Sequence, residues 1–153
     1  MIMFDYLANP TRFSKITTAI LPVAVLVSAV ALTFGLYLAF LASPADYQQG
    51  ETVRIMYIHV PAAWMAMMCY LLMALSAVFY LVWRHPLADI GARAMALPGA
   101  GFALITLLTG SFWGRPMWGT WWVWDARLTS MLILFFLYMG YMSLADGFKR
   151  AER

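Results

Sequence analysis

Four long apolar intervals, each bounded by charged residues, make up most of the chain. Asp, Glu, Lys and Arg are absent from the intervals 16–45, 55–83, 94–114 and 128–145. A helix that crosses a membrane needs about 20 apolar residues. Only a helix or a closed barrel can satisfy its own backbone in lipid, and the intervals lack the period-two alternation of barrel strands. The pattern therefore predicts an all-α integral membrane protein with four transmembrane helices.

The charged boundaries and the prolines set the expected limits of these helices. We expect a single transmembrane domain over residues 1–153, with spans at 18–41, 61–83, 94–112 and 127–145 and an outward tryptophan-rich segment at 113–126. Proline is tolerated best in the first turn of a helix, so the second helix is predicted to begin at Pro61. His59 would then lie just ahead of that helix. Pro98 suggests a kink in the third helix.

Basic residues are distributed unequally between the two sides of a four-span arrangement. One side carries seven of them: Arg12, Lys15, Arg84, Arg93, Lys149, Arg150 and Arg153. The other side carries three: Arg54, Arg115 and Arg127. Because basic residues accumulate on the cytoplasmic side of a membrane protein, both termini are predicted to be cytoplasmic.

Composition excludes several other classes of protein. The chain is 64% hydrophobic and only 11% charged, whereas a soluble domain carries about 25% charged residues. Its net charge of +3 comes from residues at the ends of apolar intervals, which indicates membrane orientation rather than nucleic-acid binding. The single cysteine, Cys69, cannot form an internal disulfide, and a small buried thiol is its simplest interpretation.

Tryptophan is concentrated at the predicted outer end of the third helix. Five of the seven tryptophans lie close together: Trp113, Trp118, Trp121, Trp122 and Trp124. They could form an aromatic belt at the headgroup layer. They could equally form a flat apolar platform for a large planar ligand, because aromatic rings bury much area and stack. Asp125, directly before the fourth interval, is predicted to cap its helix.

Two segments of the chain resemble a known family. The run WGTWWVWDARLTS at 118–130 is similar to the tryptophan-rich signature of the WWD family of haem-handling proteins, specifically its CcmC-type members. The run RIMYIHVPAAW at 54–64 resembles the start of the second helix in the same proteins. Both segments fall on the predicted outer side, in the family's order, and the similarity covers the whole chain.

The resemblance implies haem binding and delivery at the outer face of the bacterial inner membrane, for c-type cytochrome biogenesis. Haem b would be held non-covalently, in transit, and presented or exported to the periplasmic haem chaperone CcmE. CcmA, CcmB and CcmD would be the membrane and ATPase partners. The family's first outward histidine corresponds to His59, which would be an axial ligand of the iron. The other expected haem-binding residues are the five tryptophans, Asp125, Arg54, Arg115 and Arg127.

The sequence alone leaves purely structural roles open for these residues. His59 could be a hydrogen-bonded residue at the membrane interface, and His85 is expected to be a loop residue on the cytoplasmic side. Arg54 and Arg115 could anchor helix ends as readily as they could hold haem propionates. Arg127 lies within the tryptophan signature, which favours a functional role slightly.

The family normally has six helices and a second haem-ligating histidine, which has no counterpart among the four intervals. The resemblance therefore implies either a fragment or an incomplete haem site. We find no catalytic constellation and expect no enzyme. The alternative function is the permease subunit of an ABC transporter, but the only inner link, 84–93, is short for a coupling surface. Paired histidines within the spans, as an electron-transfer subunit would need, are absent.

Overall fold

The computed structural model describes residues 9–151, and this part of the chain is helical apart from its connecting segments. The helices are α1 (Pro10–Tyr37), continued by a π-helical turn (Leu38–Ala42), α2 (Val53–Trp83), α3 (Pro86–Trp118) and α4 (Ala126–Ala151). Each is long and apolar enough to cross a membrane. The predicted all-α fold with four membrane-competent helices is confirmed. Arg153, counted above for orientation, lies outside the described residues.

The described chain separates into two compact units, of which the first ends at Pro44. Its helix α1 begins at Pro10, eight residues before the predicted start. Asn9 caps it, since the Asn9 side chain accepts hydrogen bonds from the backbone N–H groups of Thr11 and Arg12 at 3.0 and 3.4 Å. An asparagine cap followed by proline is a strong helix start. The charges of Arg12 and Lys15 mark the edge of the apolar interval and not the edge of the helix.

The second unit begins at Ala45 and contains α2, α3 and α4. Helix α3 packs against both of the others. Small residues line the contacts between these helices. Within a membrane the hydrophobic effect does not drive helices together, and small residues let their backbones approach closely. The buried small residues include Ala62, Ala66 and Cys69 on α2 and Ala92, Ala96, Ala100 and Ala103 on α3. Tyr138 of α4 is the largest side chain in this core and is fully buried.

Helices α2 and α3 are longer than predicted. Helix α2 begins at Val53 and runs through Pro61, so the expected start at Pro61 is wrong and His59 lies inside the helix, in its second turn. Proline removes only one hydrogen bond, the one that would reach the Tyr57 carbonyl. The inner link is only 84–85, because α3 begins at Pro86 rather than at residue 94.

Helix α3 also continues beyond its predicted end at residue 112, as far as Trp118. It ends at Gly119, whose φ of +77° lies in the left-handed region that favours glycine at a helix C-terminus. The tryptophan-rich segment is therefore divided. Trp113 and Trp118 are on the last turns of α3, and the other three tryptophans lie in the irregular connection to α4.

Candidate functional site

Three chain segments converge at one end of the three-helix unit. They are the connection and first turns of α2 (45–59), the last turns of α3 (106–118) and the connection to the start of α4 (119–128). We call this the tryptophan-rich end. Gln49 joins two of the segments, since its side-chain oxygen accepts a hydrogen bond from the Trp113 indole N–H at 2.9 Å. Asp46 fixes Gln49 by accepting its backbone N–H at 2.8 Å.

His59 lies where α2, α3 and α4 meet. Its Nδ1 is 3.0 Å from the Thr109 hydroxyl oxygen on α3. A Cβ atom added to Gly110 would lie 3.0 Å from Cε1 of His59 and 3.6 Å from Cδ2 of Leu128. The bare backbone at Gly110 therefore leaves the space that the imidazole ring occupies. His59 is half-buried, and the contact with Thr109 holds its ring against α3.

The tryptophan rings meet edge to face and not in one plane. Trp113 and Trp118 have an interplanar angle of 87°, with ring centroids 5.1 Å apart. Trp122 and Trp124 meet at 75° and 5.4 Å. Edge-to-face packing is a favourable geometry for aromatic pairs because of their quadrupoles. These two ring pairs are not coplanar, so they do not form the flat platform that was one of the two alternatives left open by the sequence; they form an angular apolar surface.

Two of these tryptophans differ in what they offer to a ligand. Trp124 is 77% exposed and presents ring surface. Trp122 is half-buried, and its indole N–H is buried without a hydrogen-bond acceptor among the described residues. A buried donor that lacks an acceptor carries a free-energy cost of about 1–3 kcal/mol. An acceptor supplied by a bound molecule would remove that cost.

The three arginines expected at this end all have protein partners. Arg54 forms an ion pair with Glu51 at 2.7 Å. Arg115 donates to the Gly119 carbonyl, and its guanidinium lies 5.9 Å from the Trp121 ring centroid. Arg127 pairs with Asp125 at 2.9 Å and lies 5.5 Å from the Trp118 ring centroid. Cation–π contacts thus tie Arg115 and Arg127 to the tryptophan-rich surface.

Asp125 is the N-cap of α4, as predicted. Its Oδ1 accepts the Leu128 backbone N–H at 2.8 Å, and its Oδ2 accepts from the Arg127 guanidinium. The Leu128 hydrogen bond, followed by the Arg127 side chain, lowers the pKa of the Asp125 carboxyl. The carboxylate is therefore charged at neutral pH and holds the start of α4 next to the tryptophan segment.

His85 and Cys69 lie away from this end. His85 precedes Pro86 and caps α3, because its Nδ1 accepts the Leu87 backbone N–H at 3.2 Å. It is thus a capping residue at the opposite end of α2 and α3 from His59. Cys69 is buried against α3 and α4 in the helix core, as the simple interpretation predicted.

The sequence did not single out Gln49, Thr109 or Gly110. Each acts through a contact between residues at least fifty positions apart in the chain, and a threonine or glycine within an apolar interval has no distinctive pattern. The described residues contain no group of three or more His, Cys, Asp or Glu side chains arranged to hold a metal ion. A single imidazole, that of His59, lies at the tryptophan-rich end, and one protein ligand of this kind suits a metal that brings its own equatorial ligands.

Comparison with known proteins identifies the family of this chain. The family model of heme exporter protein C matches residues 3–153. The heme exporter protein C of Bradyrhizobium diazoefficiens is 56% identical over 156 residues, covering 100% of this chain and 59% of that protein. The Escherichia coli K12 protein of the same name is 51% identical over 142 residues, covering 93% of this chain and 58% of its own length.

A plant protein is also similar. The putative cytochrome c biosynthesis ccmC-like mitochondrial protein of Marchantia polymorpha is 57% identical over 111 residues, covering 72% of this chain and 49% of its own length. The chain thus spans roughly half to three fifths of the length of these three relatives. Since the family model matches nearly every residue and the similarity to curated members is high, the chain belongs to the heme exporter protein C family.

Proposed function

We propose that this protein binds haem non-covalently at the tryptophan-rich end and delivers it for the biogenesis of c-type cytochromes. One observation carries the proposal. His59 and the tryptophan segment, more than fifty residues apart in the chain, meet at the same end of one three-helix unit through the contact between His59 and Thr109. A neutral imidazole is a common axial ligand of haem iron.

The residues at this end suit the three chemical parts of haem b. His59 offers a nitrogen to the iron. The angular surface of Trp118, Trp121 and Trp124 offers apolar contact to the macrocycle. The buried Trp122 N–H has no acceptor among the described residues and can donate to a propionate. Arg115 and Arg127, held at the edge of the same surface, can form charge-assisted hydrogen bonds to the carboxylates.

The direction of delivery follows from the distribution of basic residues. With both termini cytoplasmic, the tryptophan-rich end faces the outer side of the bacterial inner membrane. Haem held there would be presented to the periplasmic chaperone CcmE. The names of the relatives, heme exporter protein C and a cytochrome c biosynthesis protein, support this role of transport and delivery rather than enzymatic catalysis.

Energy for any transport step would come from partners. Only residues 84 and 85 separate α2 from α3, which leaves no room for a coupling helix on that link. We therefore assign nucleotide-driven work to CcmA, with CcmB and CcmD as membrane partners, and haem holding to this chain.

The experiment that tests the proposal measures haem transfer. The purified chain in lipid vesicles is loaded with haem and mixed with the soluble domain of CcmE, and haem on the chaperone is followed by absorption after separation. Trp122→Phe keeps an aromatic ring and removes the N–H donor. Trp83→Phe makes the same change at the last residue of α2, far from the tryptophan-rich end, and is the matched control.

We expect the parent and Trp83→Phe to load the chaperone equally. Trp122→Phe should hold haem at least tenfold more weakly, because a hydrogen bond to a charged group contributes about 1.5–3 kcal/mol. A parent protein that holds no haem, or one that never passes it to the chaperone, would contradict the proposed function.

A further inference from the structure

The hydroxyl group of Thr109 contacts the His59 ring and two backbone carbonyl groups. Its oxygen lies 2.7 Å from the Ile105 carbonyl, 3.3 Å from the Thr106 carbonyl and 3.0 Å from His59 Nδ1. A threonine hydroxyl carries one proton and two acceptor lone pairs, and a carbonyl oxygen can only accept. The hydroxyl proton therefore goes to a carbonyl, that of Ile105 being the nearest.

The remaining lone pairs of the Thr109 oxygen face His59, so Nδ1 has to be the donor of that hydrogen bond. A neutral imidazole has one N–H. With the proton on Nδ1, the lone pair that can bind a metal is on Nε2.

We propose that Thr109 is a positioning residue, which fixes His59 as the Nδ1-protonated tautomer and thereby presents its Nε2 lone pair to the haem iron. The tautomer stands on the hydrogen bonds alone, and its use toward iron rests on the proposed function. A hydrogen bond from the distal ring nitrogen orients a metal-ligating histidine and raises its basicity. Gly110 contributes the space in which the oriented ring fits.

His85, the second histidine, provides an internal reference, because its hydrogen bond assigns it the opposite tautomer. His85 Nδ1 accepts the Leu87 backbone N–H at 3.2 Å, so this nitrogen must be unprotonated and the proton of the neutral ring is on Nε2. The chain contains only these two histidines. The two rings are therefore expected to be opposite tautomers in one molecule.

Nitrogen NMR of the haem-free protein, labelled at its histidine rings, tests the tautomer directly. Ring-nitrogen chemical shifts and proton couplings distinguish the two tautomers, and His85→Ala assigns the signals. We expect Nδ1–H at His59 in the parent and in Thr109→Ser, which keeps the hydroxyl. Thr109→Val should lose that single tautomer. Thr106→Val, which removes a hydroxyl that bonds the Phe102 carbonyl on the same helix, should retain it.

A parent His59 protonated on Nε2, or a Thr109→Val protein with unchanged His59 signals, overturns the proposal. A fold check accompanies each variant, and the parent spectrum keeps the test decisive if the valine variant folds poorly, because an Nε2–H signal at His59 of the parent contradicts the proposal by itself.

Haem binding provides the second readout. Loss of an outer hydrogen-bond partner of a metal ligand weakens binding about 10- to 100-fold. Thr109→Val should show such a loss and a lower iron–histidine stretching frequency in the resonance Raman spectrum of the ferrous complex, with rescue in Thr109→Ser. If His59→Ala binds haem like the parent, the proposed function fails while the tautomer result stands. If His59→Ala loses haem binding but Thr109→Val matches the parent in both the NMR spectrum and haem binding, the inference about Thr109 fails and the proposed function stands.

Discussion

The phenol ring of Tyr138 on α4 occupies the space in which Gly99 on α3 would carry a Cβ atom. The Tyr138 side chain extends past α3, and its hydroxyl group donates a hydrogen bond to the Ala66 carbonyl of α2 at 2.7 Å. One fully buried side chain thus fixes α4 against both other helices of the unit. The contact thereby holds the helix that begins directly after the tryptophan segment.

Gly99→Ala should destabilise the three-helix unit. Its methyl group would overlap the Tyr138 ring, and overpacking of a close-packed core costs about 1–3 kcal/mol. Gly101→Ala is the matched control on the same helix, since nothing lies within 4 Å of its Cβ position. The control should be neutral or stabilising by up to about 1 kcal/mol. Unfolding in detergent measures both, and equal effects would show that Tyr138 does not fill this space.

Tyr138→Phe separates the hydroxyl from the ring. The phenylalanine variant loses only the hydrogen bond to Ala66, at a cost of about 0.5–1.5 kcal/mol, whereas Tyr138→Ala also leaves a cavity and should cost about 3–5 kcal/mol. In the Tyr138→Ala background, Gly99→Ala should no longer be harmful, because the overlapping ring is gone. A double-mutant cycle measures this coupling, and strictly additive effects would contradict the contact.

The number and class of the helices could be predicted from the sequence because a lipid environment leaves few solutions for the backbone. Their limits could not. Charges such as Lys15 and Arg54 mark where the apolar intervals begin, yet helices α1 and α2 begin before them. Pro61 was weighed as a helix start, but α2 tolerates the single lost hydrogen bond in its interior.

Stability in acid should depend on Asp125. Its pKa is lowered in the folded protein by the Leu128 N–H and by Arg127, so the carboxylate contributes stability that is complete above its ordinary pKa of 3.8. That contribution is lost as the pH falls through the lowered pKa of the folded state. Asp125→Asn can still accept the Leu128 N–H but carries no charge. Thermal unfolding against pH should therefore show less acid dependence in the variant, and identical profiles would refute the assignment.

Topology reporters should place the two ends of α4 on opposite sides of the membrane. We expect a reporter fused after Thr120 to be external and one fused after Ala151 to be cytoplasmic, from the seven-to-three distribution of basic residues. A cytosolic enzyme and a periplasmic enzyme, each fused at both sites, give complementary readings. Both sites on one side would exclude an outer haem site.

The candidate site was predicted in part. The motif segments gave His59 and the tryptophans, and Asp125 was recognised as a cap because it stands directly before an apolar interval. The Thr109 and Gln49 contacts could not be predicted, since they join α3 to residues fifty or more positions earlier in the chain. The edge-to-face geometry of the rings depends on where α3 ends, which composition does not encode.

The central claim is that His59, and not His85, binds haem iron. Haem titration of the purified protein, followed by the haem absorption band, compares His59→Ala with His85→Ala. The two variants remove the same side chain from opposite ends of α2 and α3. The account predicts that His59→Ala loses or shifts the band while His85→Ala binds like the parent. Binding by His59→Ala that matches the parent in affinity and spectrum would contradict it.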